Sequence, residues 1–483
     1  MLNQSFSFEN LRTIHEIENR KGNYYKDFYS IQYNEIVYLL QEKRKEIKLE
    51  KAKLIFNEET FNRLLEEKKI LEENKDSFLE TDLNNISNTI NKKSFDLKLT
   101  SFIPQPSGKA IYTTNKDAVS FFAMKQLQYN IFRTFKVKQS NRYQIVKQVK
   151  TLLQDNFPKF IVRTDIRQFY ESVPQHDLLK LIENNSLLSP KSKSLIKNLL
   201  YNYNKLTGQL NLNEKSRKGI PRGIGISASL AELYMRKIDN EIKSISDVFF
   251  YARYVDDIII FFAPNSKYTN NLYLNQIKKI VTDNGLELKD GTIPLEISKT
   301  NEIDLLIAGA AINKDMNFLG YKFEIRNSKL LNIKLSDNKK DKYNDRIEKS
   351  INNYLTNKLN NELEARKLLI HRFNYLTKNT KLHQPKKGLI GIYYSNSLIE
   401  NNCKCLDDLD SKLKIIIDQK LPIASYPNLN KRLKKFSFKK GFADKLFFNI
   451  NSKKKNIPDL RSSTNKRAKP LMNNFEKIVE AWK

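Results

Sequence analysis

The chain has 483 residues, and 85 Lys and Arg outnumber 54 Asp and Glu, which gives a formal net charge of +31. This length predicts two to four domains, and 40% hydrophobic with 11% aromatic residues is enough to build sizeable cores. A wholly disordered chain is therefore excluded. The positive field favours a polyanionic partner, either nucleic acid or an anionic membrane.

Membrane insertion and zinc chemistry find little support in the sequence. No stretch approaches the roughly 20 consecutive apolar residues of a spanning helix, and the N-terminal segment lacks an apolar signal region. We therefore expect a cytoplasmic protein with no membrane partner. Cys403 and Cys405 are too few for a disulfide framework, and the four histidines are scattered. Any catalytic metal is expected on carboxylates.

Residues 1–100 are predicted to form a helical N-terminal extension. They contain no proline and one glycine, Gly22. In the segment 61–71, Phe61, Leu64, Leu65 and Leu71 recur at helical spacing, which indicates amphipathic helices and a long antiparallel pair. Such charged helices are typical of solvated packing elements. The turn-rich stretch 103–108 then predicts a boundary or a loop.

The rest of the chain changes character twice. Between about 157 and 335, short apolar strand-like runs alternate with amphipathic helices, which predicts an α+β or α/β region. Beyond about 336 helical, basic sequence dominates, and residues 331–483 hold 34 Lys and Arg against 15 Asp and Glu. The predicted domains are 1–100 (helical extension), 101–335 (main α/β region), 336–425 (helical) and 426–483 (basic extension).

Three acidic residues stand beside apolar runs that read as buried strands. Asp165 ends the run that begins at Phe160, and Asp256 and Asp257 lie between two apolar runs in the segment 249–262. The second pattern predicts a hairpin whose turn carries both acids. Holding adjacent carboxylates between aliphatic strands costs several kcal/mol unless cations compensate them, so the pattern favours a divalent ion. Taken singly, Asp165 also fits a helix N-cap, and an Asp-Asp pair also fits a solvated turn.

A glycine-rich segment, residues 219–239, lies between these acids. It opens with Gly219, Gly223 and Gly225 and continues as a predicted helix whose Leu230, Leu233, Tyr234 and Ile238 share one face. Glycines before a helix allow a ligand or a nucleic-acid backbone to approach closely. Alone, the segment is equally typical of a plain loop.

In this order the motifs resemble those of reverse transcriptases. The first family motif corresponds to Asp165 with Phe169 and Tyr170, the second to residues 220–223 with Ser227, and the third to residues 254–257. Further matches are Lys299 for the fourth motif and Lys109 for the fingers segment that holds the incoming triphosphate. The primer-grip hairpin corresponds to Phe318, Leu319, Gly320 and Tyr321.

The resemblance covers roughly residues 100–340. It implies an α+β right-hand polymerase fold, in which 101–335 are fingers and palm and 336–425 are the thumb. It also implies two Mg²⁺ ions, with Mn²⁺ as an alternative, bridged by Asp165 and Asp256. The Ile166 carbonyl is expected as a further metal ligand and Asp257 as a supporting acid. Lys299 is expected to protonate or neutralise pyrophosphate, and Lys109 with Arg133 or Arg163 to hold phosphates.

Nucleotide selection is expected from residues near the first and second motifs. The resemblance makes Tyr170 the steric gate against a 2′-hydroxyl; the alternative is a core aromatic. Phe169, Gly223 and Ser227 complete the expected dNTP site. Many family members carry glutamine where this chain has Arg222, and an arginine there has the chemistry to hold template or primer phosphate.

The basic C-terminal segment 431–440 is a candidate nucleic-acid surface. Cations can neutralise phosphates while aromatic rings stack on unpaired bases. The alternative is an amphipathic element with core phenylalanines (Phe436, Phe438) and solvated lysines. The candidate cations are Lys431, Arg432, Lys434, Lys435, Lys439 and Lys440.

The opening segment 4–22 and the helical extensions are similar to the defence-associated group of bacterial antiviral reverse transcriptases. Within that group the resemblance is to the first polymerase of the type-three paired system. It implies a noncoding RNA template, a DNA product made from dNTPs, a second reverse transcriptase subunit and a higher oligomer. The alternatives are a self-priming or template-independent polymerase of the retron or abortive-infection kind, and a catalytically silent RNA-binding scaffold. The sequence leaves the primer open.

Overall fold

The computed structural model describes residues 3–22, 25–53, 57–104, 108–155, 159–263, 270–289, 302–303, 314–326, 329–382, 388–400, 402–450 and 474–482. It divides into two compact units. The first comprises Met1–Ser140, Thr164–Ser246 and Tyr273–Lys299, and the second comprises Asn141–Arg163, Asp247–Leu272 and Thr300–Lys483.

Helices and strands follow one another along the described chain, with helices predominating at both ends. In chain order the elements are α1 (Phe8–Arg20), α2 (Ile31–Lys51), α3 (Glu58–Asn91), β1 (Leu99–Phe102), β2 (Ile111–Thr114), α4 (Ala118–Phe135), α5 (Arg142–Gln154), β3 (Phe160–Asp165), α6 (Phe169–Ser172), α7 (Gln175–Glu183), α8 (Pro190–Leu206), α9 (Ser227–Lys243), β4 (Val248–Tyr254), β5 (Asp257–Phe262), α10 (Asn270–Asp283), β6 (Glu302–Ile303), β7 (Lys314–Phe318), β8 (Tyr321–Arg326), β9 (Lys329–Leu335), α11 (Asp337–Thr377), β10 (Asn379–Leu382), β11 (Gly388–Gly391), α12 (Lys404–Lys420), α13 (Pro427–Leu433), α14 (Phe438–Ala443) and α15 (Asn474–Val479).

The N-terminal residues form the predicted antiparallel helix pair, α2 and α3. The Ser30 hydroxyl at the start of α2 donates to Asp82 in the last third of α3, and Lys43 further along α2 pairs with Glu67 in the first third of α3. Asn57 caps α3 through a hydrogen bond from the Thr60 amide, which satisfies one of the free amides of the first turn. Leu64 is buried as predicted. Leu65 is 40% exposed, so it lies off the packed face.

A buried histidine connects α1 to this pair. His15 is 5% exposed, and its ring nitrogens lie 2.7 Å from the Tyr29 hydroxyl and 2.8 Å from the Asn19 amide nitrogen. It lines a cavity of about 470 Å³ between α1, α2 and α3. Burial, with Lys75 and Arg12 nearby, lowers the pKa of His15 to about 4, against the opposing charges of Glu16 and Asp76. The ring is therefore neutral at pH 7.

This lowered pKa predicts acid sensitivity of the first unit. The unfolded chain takes up a proton on His15 near pH 6.5, whereas the folded chain resists until about pH 4. The stabilisation by the neutral ring is thus complete above pH 6.5 and is lost as the pH falls towards 4. For a buried group this loss amounts to about 3 kcal/mol. We expect the free energy of unfolding of wild type, relative to His15→Gln, to fall by that amount between pH 7 and pH 4 in denaturant titrations; parallel pH profiles would contradict the assignment.

Four strands form one sheet in the order β4-β5-β3-β6. All six residues of β3 and the five after the first residue of β5 are buried, as their runs of β-branched and aromatic residues predict. Ile259 and Phe261 belong to the same hydrophobic cluster as Ile145 and Val149 of α5. The runs predicted as buried strands are confirmed.

A second sheet consists of the antiparallel strands β7, β8 and β9. Phe318 pairs with Tyr321, so Leu319 and Gly320 form a two-residue turn. Both turn residues have positive φ, +46° and +76°. Two left-handed residues are the geometry that matches the twist of a tight hairpin, and glycine adopts it without strain.

The C-terminal part is helical, as predicted, apart from the small hairpin of β10 and β11. The long helix α11 bends at Asn361, whose φ of −160° and ψ of 93° are not helical. The Asn361 side chain accepts from the Glu364 amide, so it caps the second half of the helix. A disulfide joins Cys403 and Cys405 at the start of α12. Within the described ranges, no helix is both long and apolar enough to cross a bilayer.

Candidate active site

The hairpin of β4 and β5 carries two of the predicted acids. Tyr254 pairs with Asp257, which leaves Val255 and Asp256 as the turn. The hairpin was predicted correctly, but Asp257 begins β5 and only Asp256 lies in the turn. Val255 has a φ of +62°, a strained conformation for a β-branched residue. Such strain is found where the surrounding structure fixes a functional turn, and here Arg253 donates to the Val255 carbonyl at 2.9 Å.

The third acid, Asp165, is the last residue of β3 and is 7% exposed. Its carbonyl oxygen accepts from the Lys289 amide at 2.8 Å, and the next residue, Ile166, forms a bridge with Leu288. The backbone on either side of Asp165 is therefore held. β3 lies next to β5 in the sheet, and Asp257 is the first residue of β5.

The predicted gate residue Tyr170 lies in the short helix α6. Phe169 beside it is buried, and the two ring centres are 5.4 Å apart. The Ile220 amide donates to the Tyr170 carbonyl at 2.7 Å, so the glycine-rich segment is tied to α6. The Arg222 guanidinium lies over the Tyr170 ring, 5.4 Å from its centre, and forms an ion pair with Glu171 at 2.8 Å.

Gly223 makes a close approach that other residues would block. Its φ is +105°, and an added Cβ would lie 2.6 Å from the Ile111 side chain and 2.9 Å from the Tyr112 carbonyl oxygen. The Tyr112 amide donates to the Arg222 carbonyl at 2.7 Å. The loop therefore packs directly on β2. Ser227 is 2% exposed, and its hydroxyl donates to the Pro221 carbonyl, which closes the loop onto α9.

The predicted primer-grip turn is held by two cations. Arg142, the first residue of α5, donates to the Leu319 carbonyl and lies 5.3 Å from the centre of the Tyr321 ring. The Lys339 ammonium lies 5.4 Å from the same ring centre and donates to the Ser395 carbonyl at 3.2 Å. Burial, with the Arg142 charge nearby, lowers the pKa of Lys339 to about 7. Sequence reasoning missed Arg142 and Lys339, because no motif marks them.

The cations that were predicted to bind phosphate differ from one another in their surroundings. Lys109 is exposed ahead of β2. Arg133 lies over the Tyr129 ring at 4.9 Å, and Arg163 is 7% exposed within β3. Lys299 lies outside the described residues.

The C-terminal segment 431–440 combines a packed side and a charged side. Phe438 is fully buried against Tyr343, and Phe436 packs against Phe373, so the phenylalanines belong to the core, as in the alternative interpretation. Lys434 and Lys439 pair with Asp418 and Asp407. The cations that remain exposed on this segment are Lys431, Arg432, Lys435 and Lys440.

The predicted metal ligands, two carboxylates and one main-chain carbonyl, have the oxygen donors of a site for a hard divalent cation. Asp165, Asp256 and the Ile166 carbonyl offer only oxygen atoms, which Mg²⁺ and Mn²⁺ prefer. Among the described residues, no group of three or more His, Cys, Asp or Glu side chains is arranged to hold a metal.

Comparison with known proteins decides the family of the central region. The family described as "Reverse transcriptase (RNA-dependent DNA polymerase)" matches residues 90–323, just under half of the chain. The chain contains a reverse transcriptase domain. The domain includes Asp165, Tyr170, Gly223, Asp256 and the turn at Leu319, and RNA-directed DNA polymerisation is the activity of its family. The predicted α+β right-hand polymerase fold is confirmed.

Two solved structures similar to this chain are telomerases. One is apo telomerase from Candida tropicalis truncated from the C-terminal domain, with 12% identity, a TM-score of 0.33, and coverage of 58% of this chain and 71% of that chain. The other is telomerase from Candida albicans in complex with a fragment of telomeric RNA, with 13% identity, a TM-score of 0.32, and coverage of 72% and 65%. No curated protein matches this chain.

Proposed function

We propose that this reverse transcriptase makes DNA from dNTPs on a dedicated noncoding RNA, as part of bacterial anti-phage defence. The polymerase chemistry is inferred from the positions of three acids. Asp165 is the last residue of β3, Asp257 is the first residue of the neighbouring strand β5, and Asp256 lies in the turn before β5. The similarity of residues 4–22 and the helical extensions to the defence-associated group supports the biological setting. A second reverse transcriptase subunit and a higher oligomer belong to the same proposal.

Asp165, Asp256 and the Ile166 carbonyl would hold two Mg²⁺ ions. When bound, the ions would activate the primer 3′-hydroxyl and stabilise the charge on the triphosphate and the leaving pyrophosphate. Asp257 adds negative charge beside Asp256 and thereby favours cation binding there. Lys299 supplies a proton or a positive charge to pyrophosphate, and Lys109 contacts the triphosphate as a solvent-exposed cation.

The RNA partner is supported by charge. The net charge of +31 includes an excess of 19 positive charges over residues 331–483. On segment 431–440 the exposed Lys431, Arg432, Lys435 and Lys440 present a basic surface beside the buried Phe438 and the partly buried Phe436. Phosphate contacts of this kind bind RNA irrespective of sequence and weaken steeply with salt. We propose that this surface follows the RNA backbone while the turn at Leu319 and Gly320 contacts the primer.

The proposed role of Tyr170 as the steric gate leads to a direct prediction. Tyr170→Ala removes the ring that would meet a 2′-hydroxyl, so incorporation of ribonucleotides relative to deoxynucleotides should rise by about a hundredfold. Primer extension with each dNTP and the matching rNTP measures the ratio. Tyr201→Ala is the matched control, because Tyr201 is 57% exposed on α8. Equal ratios in wild type and Tyr170→Ala would remove the gate assignment.

The template separates this function from its alternatives. Purified protein with its co-purifying RNA should incorporate labelled dNTPs in Mg²⁺, and sequencing should recover complements of that RNA. RNase treatment before the reaction should abolish incorporation. Incorporation that survives RNase would instead identify a template-independent or self-priming enzyme. Absence of incorporation with every dNTP, in protein that retains RNA, would identify a silent RNA-binding scaffold and overturn the proposal.

A further inference from the structure

Arg222 is the residue at which this chain departs from many reverse transcriptases, and its guanidinium contacts two residues of α6. Its Nη2 atom lies 2.8 Å from one Glu171 carboxylate oxygen and 3.0 Å from the other. Its guanidinium carbon lies 5.4 Å from the centre of the Tyr170 ring, within the range of a cation–π interaction. One arginine thus contacts the predicted gate and the residue next to it.

The backbone around this contact is already fixed. The Ile220 amide donates to the Tyr170 carbonyl and the Gly219 amide to the Val173 carbonyl, both at 2.7 Å. On the other side of the loop, the Tyr112 amide donates to the Arg222 carbonyl. The main chains that carry Tyr170 and Arg222 are therefore held together, which places the Arg222 guanidinium beside the Tyr170 side chain.

The guanidinium is suited to restricting that side chain. The Arg222 side chain is 30% exposed and that of Glu171 36%, so the ion pair is only partly screened by water. The Nε atom of Arg222 is buried and has no hydrogen-bond partner within the described part of the chain. A planar guanidinium held by a carboxylate stacks on an aromatic ring in one orientation, which a glutamine side chain cannot reproduce.

We propose that the Arg222–Glu171 pair positions the Tyr170 ring and thereby sets the discrimination between deoxyribonucleotides and ribonucleotides. The inference rests on the proposed gate function of Tyr170 and names the residues that hold it. Arg222 and Glu171 are positioning residues that act through Tyr170. Because the ring remains present when the pair is broken, discrimination should fall less than in Tyr170→Ala.

The test compares Arg222→Gln, Glu171→Gln and the double variant in primer extension with single nucleotides. We expect each single variant to lower the preference of kcat/KM for the dNTP over the matching rNTP by about tenfold, or about 1.4 kcal/mol. The double variant should lose no more than the larger single loss, because both changes break one contact. Arg222→Lys should recover little, since an ammonium does not stack as a guanidinium does. Lys197→Gln is the control, because it removes the Lys197–Glu183 ion pair on α7 and α8.

The remaining outcomes distinguish the role of the Arg222–Glu171 pair from the gate function of Tyr170. A uniform rise in KM for dNTPs and rNTPs, with an unchanged preference, would make Arg222 a phosphate contact and overturn the inference. Unchanged discrimination in Glu171→Gln, with loosened discrimination in Tyr170→Ala, would overturn it while leaving the gate in place. Unchanged discrimination in Tyr170→Ala would overturn the gate first. If Arg222→Gln fails to fold, Glu171→Gln decides the test, because it retains the arginine and keeps the side-chain shape.

Discussion

Replacement of Asp165 or Asp256 by asparagine is expected to lower nucleotide incorporation by about a thousandfold or more. Asparagine preserves the shape of the side chain but removes the negative charge that would hold a divalent cation. Asp165 is 7% exposed at the end of β3, so water cannot substitute for the lost carboxylate. Asp257→Asn should cost about tenfold, because Asp257 is proposed to act through added negative charge.

The measurement is single-nucleotide extension in Mg²⁺ with wild type and the three variants. Asp283→Asn is the matched control, because Asp283 is an exposed aspartate at the end of α10. Circular dichroism and thermal melting should show that all variants are folded. Asp165→Asn or Asp256→Asn with more than about a tenth of wild-type activity would contradict the proposed metal-binding roles.

The parts of this site that the sequence predicts are those formed by short continuous segments of the chain. The hairpin around Asp256 follows from two apolar runs that flank a polar pair, and β3 follows from the run before Asp165. Local backbone preference and burial decide such elements, so pattern is enough. The turn at Leu319 and Gly320 came instead from the resemblance to the family's primer-grip motif, and its positive φ values are visible only in the structure.

The sequence did not predict contacts between distant segments. Arg142 reaches the Leu319 carbonyl from 177 positions away, and nothing in its own segment signals that contact. Glu171 is adjacent to Tyr170 in sequence, yet its pairing with Arg222 depends on how the glycine-rich loop folds back. On segment 431–440, composition left Phe438 equally suited to base stacking and to the core, and burial decided for the core. Periodicity identifies a helix, but the partner of each face depends on the tertiary structure.

A glycine directly after segment 431–440 gives the largest expected effect on stability. Gly441 is buried in α14, and a Cβ added there would overlap the carbonyl oxygen of Thr377 and lie 2.9 Å from its carbonyl carbon. Thr377 is the last residue of α11, so the obstacle is backbone and cannot rotate away. Phe438 and Phe442, on either side, are fully buried and prevent α14 from shifting outward freely.

Gly441→Ala should therefore destabilise the second unit by about 3 kcal/mol, at the upper end of the usual cost of overpacking. For a unit of this size that corresponds to a fall in the melting temperature of about 10 °C. Gly388→Ala is the matched control, because no atom of the described residues lies within 4 Å of a Cβ added there. The control should stay within about 0.5 kcal/mol of wild type.

The same substitution tests whether the basic surface depends on this packing. Asn379, just beyond α11, receives a hydrogen bond from the Phe448 amide at 2.7 Å and donates from its own amide to the Leu446 carbonyl at 2.8 Å, so the chain after α14 is fastened to the end of α11. Displacement of α14 would move Lys440 relative to Lys431 and Arg432. We expect Gly441→Ala to bind RNA more weakly and with a shallower salt dependence, since fewer phosphates are contacted at once. Melting temperatures that agree between Gly441→Ala and Gly388→Ala would show that α14 is not packed against Thr377, and the argument for this surface would fail with it.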